Sequence, residues 1–265
     1  MKKIYLLTSV AFIAGLIFII HGCSKKAEMP STGATTQHYD TITSLANMHS
    51  NTAIWFHDGE YTLVTIEPGD EEKEESEPYK SLSATCSDSY AGSARAAAKT
   101  SFASVSYTTY ASVTALRATL QTDAFMQSLG LTNSSNRSTY EKRNVIITTA
   151  YLFAISRESD NDYHMIIGDA SGASANILNS EGSGLPASSA SSYTAIKAVR
   201  DAIKAKFGTD FCTTTGYTHF SPAIKLTTLK ASMFYDIDHA PGTVGPSSNR
   251  PNTSWEMHPI NTIAF

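Results

Sequence analysis

Apolar positions along this chain fall into blocks of different spacing. Leu6 to Ile20 is a nearly unbroken apolar run behind Lys2 and Lys3. Ala53 to Ile66 holds two β-branched and aromatic runs on either side of Asp58-Gly59, which predicts a β-hairpin with a two-residue turn. Ser93 to Ala103 is Ala-rich, and Ala111 to Leu129 carries Val113, Leu116, Leu120, Phe125 and Leu129 at helical spacing, with Gly130 as a C-cap. One or two helices are expected there. Polar Leu131 to Thr139 follows as a linker.

From Asn144 the period becomes that of strands. Val145 to Ile155 predicts a first strand, Tyr163 to Ile167 a second and Ala173 to Leu178 a weaker third. Ser191 or Ser192 then opens an amphipathic helix, with Tyr193, Ile196, Val199, Ile203 and Phe207 on one face. Lys197, Arg200, Asp201, Lys204 and Lys206 lie on the other, and Gly208 closes it. Ala223 to Asp236 and Ser254 to Phe265 predict the last two strands. Three strands, a helix and two strands is the order of an OB-fold, a small Greek-key barrel. The expected class is therefore α+β, with an OB-like five-stranded barrel over 140–265 and an N-terminal α/β segment over 38–139.

The first block reads as targeting. A basic n-region, a short apolar core and Ile20-His21-Gly22-Cys23 resemble a bacterial lipobox, with His21 where a small residue is usual. Residues 1–22 are expected to be a lipoprotein signal peptide, Cys23 the lipidated residue and 23–37 a flexible tether. This places the protein in the cell envelope, on the membrane through its lipid and facing the periplasm or the surface. Without Lys2 and Lys3, 18 of the 20 Lys and Arg remain against 24 Asp and Glu, a formal charge of −6. That balance disfavours a nucleic-acid partner. Cys86 and Cys212, the two cysteines besides Cys23, suit a disulfide in an oxidising compartment. The seven carboxylates between Glu67 and Glu77 lack calcium-loop spacing and read as an exposed loop.

Candidate chemistry gathers near the C-terminus. Alternation puts Glu256, His258 and Ile260 on one face of the last strand, and Trp255, Met257 and Pro259 on the other. Asp236, Asp238 and His239 open a long loop to residue 253, and in an OB-fold that loop borders the usual binding face. His164 stands just inside the second strand, with Arg157, Glu158, Asp160 and Asp162 before it. Two accounts stay open. In one, His164, Asp236, Asp238, His239, Glu256 and His258 hold a ligand or a divalent cation and support metal-dependent, nuclease-like hydrolysis. In the other, Glu256 pairs with Arg250 or accepts from His239, Trp255 is core, and the set anchors the loop. No cofactor is specified, and no nucleophile elbow, phosphate loop, dinucleotide fingerprint or His-Glu-x-x-His occurs. A binding protein of unknown ligand, a hydrolase and an oligonucleotide-binding OB domain are the function classes left.

Tyr151-Leu-Phe-Ala, Asp162-Tyr-His-Met-Ile-Ile-Gly-Asp169, Phe234-Tyr-Asp-Ile-Asp-His239 and Trp255-Glu-Met-His-Pro259 together resemble a pattern of uncharacterised bacterial exported proteins. Those proteins carry a Tyr-His strand, a His-bearing loop and a terminal Trp-Glu-x-His-Pro motif in the same order. The resemblance implies that residues 140–265 act as one domain. It does not extend over 38–140.

Overall fold

The computed structural model describes residues 87–170, 172–212 and 216–265, and the backbone of two earlier strands. All of these lie within one compact unit, Asp40–Phe265. In chain order the elements are β1 (Thr52–His57), β2 (Glu60–Glu67), α1 (Ala96–Lys99), β3 (Tyr107–Tyr110), α2 (Val113–Arg117), α3 (Asp123–Ser128), β4 (Asn144–Ile147), β5 (Ala150–Arg157), β6 (Tyr163–Gly168), β7 (Ile177–Gly182), α4 (Tyr193–Phe207), β8 (Tyr217–Leu226), β9 (Thr228–Tyr235) and β10 (Trp255–Ala264). The class is α+β, as expected. One sheet dominates, in the order β1-β2-β8-β5-β6-β7-β10-β9-β4-β3. The signal peptide, the tether, the Asp58-Gly59 turn and the acidic loop after Glu67 lie outside the described residues. His57 pairs with Glu60 across that turn, as a two-residue hairpin requires.

Two predicted strands are each two strands. The run 145–155 divides at Thr148-Thr149 into β4 and β5. The predicted fourth strand begins earlier, at Tyr217, and divides at Thr227 into β8 and β9. The pieces keep one antiparallel register, with Ile147 opposite Leu229 and Ala150 opposite Leu226. The third strand does not begin at Ala173. Ser174–Asn176 is a 3₁₀ turn, and the strand, β7, starts at Ile177, runs on to Gly182 and pairs in parallel with β10 through Glu256↔Asn179.

The helices depart further from the sequence pattern. The Ala-rich stretch is helical only over Ala96–Lys99, and 113–129 is two short helices. Between the latter, the Gln121 carbonyl accepts from the Trp255 indole at 2.8 Å and the Thr119 carbonyl from Arg143 at 3.1 Å. Carbonyls committed to tertiary donors serve this turn in place of a continuous helical ladder. Helix α4 matches its pattern. Ile196, Val199, Ile203 and Phe207 are buried, and Gly208 at φ 63° makes the left-handed cap that favours glycine. Ser192 stands at its start, but its hydroxyl donates to the Thr100 carbonyl at 2.6 Å and not into the helix. Arg200, expected on the wet face, is 1 % exposed. It lies over the Tyr163 ring at 4.5 Å and donates to the Asn161 and Ser183 carbonyls and to Asp88. The segment around Asp88 covers the face that amphipathicity alone would leave to solvent.

One large core joins Leu152, Met165, Leu178, α4, Met233, Trp255 and Met257 with Val113, Leu116 and Met126 from the N-terminal segment. A smaller cluster of Ala154, Ile166, Ile177 and Tyr217 packs separately. Strand alternation therefore sends Tyr163, Met165 and Ile167 into the large core, and leaves His164 and Ile166 on the opposite face. Ile260 is a correction. It belongs with Trp255 and Met257 in the large core, because the β10–β9 register shifts between Met257 and Ile260. A bulge of this kind reverses the side that later residues present.

Candidate functional site

Three neighbouring strands place the polar residues. His164 is opposite Glu181 across β6 and β7, and Asn179 is opposite Glu256 across β7 and β10. Asp162 immediately precedes β6, and His258 lies two residues beyond Glu256. All six side chains share the face turned away from the large core, and none is more than 3 % exposed.

They form a connected set. His164 Nε2 lies 2.9 Å from Glu181 Oε1, and His164 Nδ1 is 3.4 Å from the Tyr217 hydroxyl and 3.7 Å from Glu158. Asn179 donates to Glu181 Oε1 at 2.7 Å and to Glu256 Oε1 at 2.9 Å. The His258 ring stands between three carboxylates. Nδ1 is 2.6 Å from Glu181 Oε2 and 3.6 Å from Glu256 Oε2, and Nε2 is 3.3 Å from Asp162 Oδ2. On the N-terminal side, buried Lys99 reaches Asp160 at 3.4 Å, and Asp160 accepts from the Asp162 N–H at 3.0 Å.

Ionisation follows from this crowding. Burial, reinforced by Asp160 and Glu181, pushes Asp162 well above the usual carboxylate range. Burial would also raise Glu181, but the two imidazoles outweigh it and hold Glu181 well below its ordinary value. Burial works against charge on His164 and His258, yet Glu181 beside them raises both. Glu256 is pushed up to about 8 by burial and by the nearby Glu181 charge. The two imidazoles thus favour the ionised form of Glu181, and its charge in turn favours protonation of the imidazoles, while burial favours the protonated forms of Asp162 and Glu256.

The loop residues occupy a second neighbourhood. His239 Nδ1 contacts Asp236 Oδ2 in a short hydrogen bond, and Asp236 Oδ1 accepts from the Asp238 N–H at 2.8 Å. Burial raises Asp236, but the His239 contact outweighs it and its pKa is lowered. Burial and Asp236 raise that of Asp238. Arg250 donates Nε to the Gly245 carbonyl at 3.2 Å, across the loop. Ser254 Oγ donates to the His239 carbonyl at 2.7 Å. Trp255 is buried, with its indole N–H on Gln121 and its ring edge-on to Tyr235 at 5.5 Å. A cavity of about 320 Å³ opens beside the loop's start, lined by Met126, Leu131, Tyr235, Asp236, Asp238 and His239 among others.

Of the residues singled out in the sequence, the structure unites His164, Glu256 and His258 through Glu181. It gathers Asp236, Asp238 and His239 around Asp236. Cys212 is in a disulfide whose partner falls outside the described residues, as Cys23 and Cys86 do. Glu181 and Asn179 were missed because the third strand was expected to end at Leu178. Carried four residues further, the period of two from Ile177 would have put Asn179 and Glu181 on one face. Lys99 lay hidden in an Ala-rich run. Comparisons with protein-family models, with curated proteins and with solved structures found no match.

Proposed function

We propose that this chain is a lipid-anchored cell-envelope protein whose OB-like C-terminal domain binds a small ligand or partner at the loop 236–253. The anchor rests on the lipobox-like Ile20-His-Gly-Cys23 behind a short apolar core. Support for an OB-like barrel lies in the order β5-β6-β7-β10-β9, the parallel β7–β10 pair and the position of α4 between β7 and β8. The antiparallel register that runs from β4–β9 into β5–β8 as far as Leu152 adds to it.

The observation that carries binding over catalysis is one of access. The cavity beside Tyr235, Asp238 and His239 opens at the loop. The His258 constellation is 0–3 % exposed, so an external phosphodiester has no route to it in this conformation. An apolar lining of Met126, Leu131 and Ile237 beside the Asp238 carboxylate suits a small ligand bearing a cationic or hydrogen-donating group.

Two measurements test the proposal. Palmitate labelling of cells should mark the wild-type chain and not Cys23→Ser; equal labelling removes the anchor. Ligand-observed NMR with spermidine, arginine and glucosamine should show binding of at least one probe, lost in Leu131→Trp. No binding at millimolar concentration, or binding unaffected by that variant, removes the cavity. Turnover of single-stranded DNA with added manganese or zinc favours the hydrolase instead. Salt-sensitive binding of the same DNA without turnover favours an oligonucleotide-binding domain.

A further inference from the structure

We propose that Asp162, Glu181 and His258 hold one divalent first-row metal ion, such as zinc or manganese, as a buried structural centre. One ligand atom from each lies within 4.8 Å of the other two. Ligands about 2.1 Å from such an ion stand roughly 3.4 Å apart in tetrahedral geometry. His258 gives the ion only one ring nitrogen. The 3.3 Å from Nε2 to Asp162 Oδ2 is close to that value, the 2.6 Å from Nδ1 to Glu181 Oε2 is the alternative that would have to open, and the ligand atoms of the three residues lie within 4.8 Å.

Proximity alone would not distinguish a metal site from an ion-pair cluster. The hydrogen bonding does. Asp162 Oδ1 accepts from the Gly184 N–H, while Oδ2 has no hydrogen-bond partner. Glu181 Oε1 is engaged by Asn179 and His164, while Oε2 has none. The ring nitrogens of His258 meet carboxylate oxygens as ion pairs, at 2.6 and 3.3 Å, without hydrogen-bond alignment to either. Asp162 and His258 are wholly buried and Glu181 is 1 % exposed. Unsatisfied polar atoms in such a place are costly, on the order of 1–3 kcal/mol each and more for charged groups.

In each carboxylate one oxygen is fixed by the protein and the other is left pointing inward. That division is how a surrounding shell orients metal ligands. Binding displaces the protons that Asp162 and His258 favour without an ion. The two carboxylates, the neutral imidazole and the divalent cation then sum to zero charge, which lowers the cost of burying them. An imidazole with two carboxylate oxygens suits zinc or manganese better than calcium or magnesium. Asn179 and His164 then act as positioning residues. Because the centre has no solvent path, the ion enters during folding.

The test uses the chain from Ser24 onward, unfolded in denaturant with a chelator and refolded with and without equimolar zinc or manganese. One equivalent of metal should survive gel filtration, and the melting temperature should rise by on the order of 5–10 °C. Asp162→Asn and His258→Gln should each abolish retention, and His164→Gln should weaken affinity by roughly 10–100-fold. Asp88→Asn, away from the centre, should retain the ion. Less than a tenth of an equivalent in wild-type protein, both as purified and as refolded, overturns the proposal even if every variant fails to fold. Undiminished retention in Asp162→Asn and His258→Gln overturns it as well.

Discussion

Arg95 and Glu141 form a buried pair whose removal tests how this fold holds the start of its long loop. Their contacts are two-pronged, at 2.9 Å for Nη1–Oε1 and 2.9 Å for Nη2–Oε2, and neither side chain is more than 1 % exposed. Arg95 also donates to the Tyr235 carbonyl at 2.7 Å and lies over Phe234 at 4.5 Å. Glu141 accepts from the N–H of Ser138 at 2.6 Å and of Tyr235 at 2.9 Å. Replacing Glu141 by Leu strands a buried guanidinium and leaves two backbone donors unmatched. The expected loss is about 3–5 kcal/mol. For a domain of this size that lowers the melting temperature by roughly 6–20 °C.

The double variant Arg95→Met, Glu141→Leu buries no unmatched charge, so it should cost clearly less than the sum of the two single changes, with a coupling of at least ~2 kcal/mol. Urea denaturation of the four proteins measures this. A cost below ~1 kcal/mol for Glu141→Leu, or strict additivity, refutes the reasoning. The same pair predicts an acid limb. Burial would raise the pKa of Glu141, but the Arg95 contact and the backbone donors outweigh it and hold it below its ordinary value of 4.5. The unfolded chain therefore binds more protons between the lowered value and 4.5, and stability rises with pH across that window. Glu141's contribution is complete above about 4.5 and disappears as pH falls through its folded value, so Glu141→Leu should flatten that limb.

Three other outcomes follow from the geometry. Trp255→Phe removes the indole donor from the Gln121 carbonyl and part of a buried ring; a loss of about 2–3 kcal/mol is expected by thermal or chemical denaturation. His239→Ala removes a partly exposed partner of Asp236 and should cost about 1 kcal/mol, while an unchanged melting temperature would deny the loop this anchor. Gly184→Ala would set a methyl 2.6 Å from the Tyr90 Cα. A loss of about 2 kcal/mol or more is expected, together with weaker protection of the Gly184 amide from hydrogen exchange.

Sequence and structure agree best where one physical rule governs a stretch. Helix α4 was legible because apolar spacing, length and Gly208 all pointed one way. Trp255 and Met257 were rightly set apart from Glu256 and His258 by strand alternation. Agreement ended where the rule was local and the cause was not. Ile260 broke alternation because of a bulge, and Arg200 sank because the Asp88 segment covers it. The Ala-rich run favours helix by propensity, but tertiary contacts take over after Lys99. The Thr100 carbonyl accepts from the Ser192 hydroxyl, and the Ala103 carbonyl from the Asn144 amide. The site was half legible. His258 and Glu256 stood out as ionisable residues on a strand, whereas Glu181 became visible only once β7 was known to continue beside β10.

The placement of β10 bears on how a chain of this kind matures. It is the last strand in sequence, yet it sits between β7 and β9 in the sheet. Without Trp255–Ala264 the pairing of β4 and β5 with β9 and β8 remains, but β7 and β9 are each left with a bare hydrogen-bonding edge. A polypeptide delivered amino end first, from a ribosome or through a translocation pore, cannot cover those two edges until the residues of β10 emerge. Chains truncated ahead of Trp255 should therefore be the ones that proteases and edge-to-edge aggregation remove.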